Sequence, residues 1–116
     1  MADKPVLTYG PAYLAGSVTN IYQGGGGSAL IYDLISGIYL ANVTSGAITV
    51  TIYLGATGGS AGGTELLKGV SIPANTTVPF YYSGRGLKLT STQFLTGLAS
   101  AGSSVTITIT GTQAVV

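Results

Sequence analysis

The residues able to do chemistry in this chain are few. Asp3, Asp33 and Glu65 are its only carboxylates, and Lys4, Lys68, Arg85 and Lys88 its only cations. His and Cys are absent, which removes the usual proton shuttle, the thiolate nucleophile and the nitrogen and sulfur ligands of transition metals. If Asp33 and Glu65 met across a sheet, they would imitate the carboxylate pair of a glycoside hydrolase. The plainer expectation is that Asp33 lies at a strand edge and Glu65 pairs with nearby Lys68. No catalytic residue, metal ligand or cofactor site is assigned, and an enzyme is not expected.

Eight tyrosines against two phenylalanines are the stronger signal. Tyrosine gives an interface a large rigid ring with a polar tip. Tyr81 and Tyr82 must point to opposite faces if they share a strand. Tyr9, Tyr13 and Tyr22 are spread along the N-terminal segment as anchors, and Arg85 with Lys88 makes a small cationic spot. Tyr9, Tyr13, Tyr22, Tyr81, Tyr82 and Arg85 are therefore the candidate interface residues. Stacking of tyrosine on sugar rings is the competing use. Asn42-Val43-Thr44 and Asn75-Thr76-Thr77 have the form of glycosylation sequons but read as turn residues. Gly24–Ser28, GGGGS, lacks the lysine that a phosphate-binding loop requires and reads as a flexible tether.

Strands must position these side chains. In Ile38–Leu54, IYLANVTSGAITVTIYL, the residues Ile48, Val50, Ile52 and Leu54 alternate with Thr49, Thr51 and Tyr53. That period of two marks a half-buried strand. With Ile38–Val43 before it and Thr44-Ser45-Gly46-Ala47 between, the stretch reads as a hairpin. Val105, Ile107 and Ile109 against Thr106, Thr108 and Thr110 repeat the alternation near the C-terminus. Between them Glu65–Ile72, Thr76–Tyr82, Leu87–Thr90 and Gln93–Ala99 read as shorter strands. Pro79 argues for an edge position, Gly69 for a bulge, and Gly55–Gly63 for a Gly-rich loop.

The fold expected is all-β, a single antiparallel β-sandwich or jelly roll of seven to eight short strands. Residues 1–28, with Pro5 and Pro11, read as an extended N-terminal arm and Gly-rich tether, and residues 29–116 as the sandwich domain.

Composition narrows the function class. Only 6% of the 116 residues are charged and the net charge is +1. A nucleic-acid footprint needs far more cationic charge. Mean hydropathy is +0.53, yet no apolar run approaches the ~18 residues of a membrane span. The start, Met1–Pro5, has no basic region, and Pro5, Gly10, Pro11 and Gly16 interrupt any apolar stretch, so use without Sec export is expected. So little charge suits a fixed part of a large assembly better than a freely diffusing enzyme.

The order of these segments resembles small β-sandwich virion proteins of tailed bacteriophages. The resemblance rests on an N.T....TVT.YLG segment, Asn42 to Gly55, and an I.ANTT turn, Ile72 to Thr77, within roughly residues 36–112. Where such relatives often carry Gly-Asp before a late strand, this chain has Ser91-Thr92-Gln93. The resemblance implies a capsid decoration or cement protein in the virion, assembled in the host cytoplasm. Its partners would be the major capsid protein and copies of itself as a trimer or dimer, with no cofactor. The alternative is a head-fibre or tail-associated module that binds host cell-surface glycans.

Overall fold

A computed structural model of the chain describes residues 4–55, 64–82 and 86–115. Asp3, Arg85 and most of the expected Gly-rich loop, residues 56–63, lie outside them. Nine strands are described: β1 (Lys4–Tyr13), β2 (Thr19–Gln23), β3 (Ile31–Asn42), β4 (Ile48–Gly55), β5 (Glu65–Ile72), β6 (Thr77–Tyr81), β7 (Leu87–Leu89), β8 (Phe94–Ala99) and β9 (Val105–Val115).

They form two antiparallel sheets in the order β1-β9-β3-β6, with β7 also on β3, and β2-β8-β4-β5. β1 pairs β9, β2 pairs β8, β3 pairs β6 and β4 pairs β5. The chain is thus one long hairpin rolled up so that successive pairs fall in alternate sheets, which is the winding of a jelly roll. Two further pairings, β3 with β9 and β4 with β8, close each sheet across the roll.

The alternation in β4 and β9 is what buries one face. Val50, Ile52, Val105, Ile107 and Ile109 are buried, together with Ile35, Ile38 and Leu40 of β3, Ile72 of β5 and Leu95 of β8. Thr106, Thr108 and Thr110 take the alternate positions on the outside. β3 would lose this phase over its length. A bulge at Ser36, between the Ile35 and Gly37 pairings with β9, restores it. β6, with Pro79 opposite Tyr39, lies at the edge of its sheet, where a missing N–H costs least. β5 carries one extra residue at Lys68-Gly69, between its Leu67 and Val70 pairings with Ile52 and Val50 of β4, and another at Leu66, between its Glu65 and Leu67 pairings.

The structure corrects three expectations. First, the strand count is nine, because residues 4–23 supply β1 and β2, one edge of each sheet, and belong to the sheets rather than to an outlying arm. Leu14, just after β1, is 2% exposed and packs in the core. Second, Ile38–Leu54 is a corner between the two sheets, since β3 and β4 never pair with each other. Asn42 closes it. Its Nδ2 donates to Gly46 O at 2.8 Å and to Ile72 O at 2.9 Å, and its Oδ1 accepts from Thr44 N and the Thr44 hydroxyl at 2.9 and 2.7 Å. The Pro73–Thr76 turn docks on the same corner through Asn75 N to Thr44 O and Asn42 N to Thr76 O. Both segments that carried the resemblance therefore meet in one hydrogen-bonded corner.

Third, Gly24–Gly27 is one 3-10 turn packed against the sandwich, not a tether. Gly24 is buried beside the Thr90 carbonyl, where a methyl group would overlap the backbone oxygen. Gly25 adopts φ +62° against Ile31 O. Glycine serves here for close approach, which composition alone reads as flexibility.

Candidate functional site

Two places hold the polar and aromatic groups that the core does not absorb. One is the outer face of the β1-β9-β3-β6 sheet. Tyr39 of β3 stands opposite Thr108 of β9 and Pro79 of β6, Tyr81 opposite Gly37, and Tyr13 opposite Thr106. Because Ile38, Leu40, Ile107 and Ile109 point inward, these residues point out. Tyr81 is 69% and Tyr13 60% exposed. The Tyr39 and Tyr81 rings meet edge to face at 5.9 Å. The Tyr39 hydroxyl, through a hydrogen bond, pushes the Tyr81 phenol above its ordinary pKa. At the other end of the face Lys88 Nζ lies 4.6 Å from the centre of the Tyr32 ring, a cation–π contact. Lys88 is the one charged side chain that β3, β6, β7 and β9 send to this face.

The second place is inside one end of the roll. Asp33 is fully buried on the inner side of β3, paired with Gln113 and Leu89. Its Oδ2 accepts the Tyr22 hydroxyl at 2.6 Å and Gly25 N–H at 2.8 Å, while Oδ1 has no hydrogen-bond partner among the described residues. Tyr22 also packs on Tyr9, ring centres 5.8 Å apart. The Asp33 carboxylate thus ties the glycine turn to β3. Gln23 Nε2, donating to Ser91 O at 2.6 Å, ties the same turn to the loop before β8.

The expected interface residues therefore divide. Tyr13 and Tyr81 are exposed on the outer face. Tyr9, Tyr22 and Tyr82 are half-buried and pack on the core, and burial pushes the Tyr82 phenol up. Arg85 lies outside the described residues. Asp33 is not at a solvent-facing strand edge but buried, whereas Glu65 does pair with Lys68, at 3.8 Å. Asp33 and Glu65 belong to different sheets and are engaged separately. Among the described residues no group of three or more His, Cys, Asp and Glu side chains comes together to hold a metal. The sequence reading missed Tyr39 and Tyr32. The signal for Tyr39 was there, because it alternates with Ile38 and Leu40.

No protein family, curated protein or solved structure matches the chain in comparison.

Proposed function

We propose that this protein is a structural component of a bacteriophage virion, a decoration or cement protein that stabilises the head by contact with the major capsid protein and with its own copies. The observation that carries the reading is the outer face of the β1-β9-β3-β6 sheet, where exposed tyrosines surround a row of threonines and Lys88 is the one charge that β3, β6, β7 and β9 send to it. Rigid aromatic rings and short hydroxyl side chains lose little entropy on burial, and a face so poor in charge limits the desolvation cost of ions. The two carboxylates that hydrolytic chemistry would draw on are committed elsewhere, Asp33 to the glycine turn and Glu65 to Lys68. Repeated over a symmetric shell, modest contacts of this kind add through avidity. The jelly-roll winding is common to capsid and lectin domains, a likeness of fold alone.

The exposed Tyr81 ring beside Tyr39 favours the second reading, a fibre or tail module binding cell-surface glycans. Adding the purified protein to phage heads that lack it separates the two. A decoration protein sediments with the heads and saturates in fixed proportion to the capsid subunit. Binding to host-cell polysaccharide without binding to heads would favour the glycan reading instead.

A further inference from the structure

We infer that the outer face of the β1-β9-β3-β6 sheet is where two copies of this chain pair, face to face, about a two-fold axis that runs across the strands near Thr110. The inference deepens the proposed function, on which it rests, by naming the surface through which copies meet.

Edges are poor routes to pairing. Each edge strand is interrupted: β1 by two register irregularities, β2 by one between Asn20 and Tyr22, β5 at Lys68-Gly69, and β6 by Pro79. Such features block the addition of a further strand. Contact between copies must then use a face.

The two outer faces differ. The β2-β8-β4-β5 sheet is bordered by the Glu65–Lys68 ion pair and places one tyrosine, Tyr53, outward between Thr51 and Glu65 pairings. Tyr13, Tyr32, Tyr39 and Tyr81 all face out from the other sheet. Its central strand, β9, is 11 residues long. At ~3.3 Å per residue and ~4.8 Å between four strands, the face offers roughly 700 Å². A standard stable interface takes about 800 Å² from each partner, so the face is of the size a dimer needs.

Charge selects both occupant and orientation. Among the described side chains this face has one cation and no anion, so it has little to offer a strongly charged partner, whereas tyrosine and threonine hydroxyls both donate and accept and so complement themselves. Lys88 stands at one end of the face and the Tyr39–Tyr81 pair toward the other. An axis along the strands would carry each Lys88 to the β1 side of the other copy, away from its aromatic pair. An axis across them sends each Lys88 toward the Tyr39–Tyr81 pair of the other copy, where an aromatic face attracts a cation.

Sedimentation equilibrium over a concentration series tests this with three variants. Thr110→Lys sets two ammoniums against each other across the axis, Tyr81→Ser removes an exposed ring, and Thr49→Lys puts the same charge on an exposed position of the other sheet. The expected result is a dimer for the native chain and for Thr49→Lys. Thr110→Lys should be monomeric with an unchanged melting temperature, and Tyr81→Ser should dissociate at least tenfold more readily. A native chain that stays monomeric, or a Thr110→Lys protein that dimerises as the native chain does, overturns the inference. Either of those results combined with saturable binding to heads would leave the virion reading standing, so the two failures are distinguishable.

Discussion

Strand β3 carries a buried polar side chain near each end, Asp33 and Asn42, and the protein treats them unequally. Asn42 is saturated: two donors and two acceptor positions are all used, on partners that include Ile72 thirty residues away. Asp33 is half satisfied, with Oδ2 holding Tyr22 and Gly25 and Oδ1 holding nothing among the described residues. An amide can meet both donors and acceptors at a corner where carbonyls and an N–H converge. A carboxylate can only accept. The difference teaches that the Asn42 end is built for rigidity, while the Asp33 end tolerates a costly group to hold a glycine turn in place.

Exchanging the two residues' chemistry is the hardest blow to this contrast. Asn42→Asp removes both donors from Gly46 O and Ile72 O and aims a buried charge at them, so it should cost about 4 kcal/mol in urea unfolding. The reverse exchange, Asp33→Asn, keeps an acceptor for Tyr22 and Gly25 and should stay within about 1 kcal/mol of the native chain. Equal losses would abolish the distinction between the ends.

Between those extremes lie two changes at the Asp33 end. Gly24→Ala forces a methyl into the Thr90 carbonyl, and overpacking of this kind should cost about 2–3 kcal/mol. A neutral result by thermal melting would mean that the turn is free to move away. Tyr22→Phe deletes the hydroxyl held by Asp33 and should cost about 1.5 kcal/mol, as hydrogen bonds to charged groups do. In Asp33→Asn the same Tyr22→Phe change should matter less, which a double-mutant cycle reads directly.

The smallest expected effect concerns Tyr82, whose N–H bonds Ser36 O at the bulge between the two ends. Burial raises its phenol pKa in the folded state. The folded chain therefore holds that proton more tightly than the unfolded one. The contribution is fully present below the unfolded value of about 10 and is lost as pH climbs through the folded value. Tyr82→Phe should melt with a shallower decline above about pH 10 than the native chain. Parallel declines would show that Tyr82 contributes nothing to the alkaline slope.

Much of the fold was legible because one rule governs it. The alternation in β4 and β9 predicts which face is buried, and Pro79 predicts an edge. What was not legible is non-local. Thr44–Ala47 has the residue types of a hairpin turn, and only the bond from Asn42 to Ile72 O and the partners of β3 and β4 make it a corner. GGGGS reads as a tether until Thr90 and Ile31 are seen against it. The same holds for the candidate site. Tyr81 on the outside follows from alternation, but Tyr22 beside Asp33 depends on two strands of different sheets converging at one end of the roll. Their separation of 11 residues carries no periodic signal.

The proposed role is one of contact, as a repeated part of a viral shell. Quantitative mass spectrometry of purified virions, with the major capsid protein as internal standard, tests it most directly. A decoration protein is expected at a fixed, capsid-like copy number, and its removal should lower particle stability. A handful of copies per particle, or none, would contradict it.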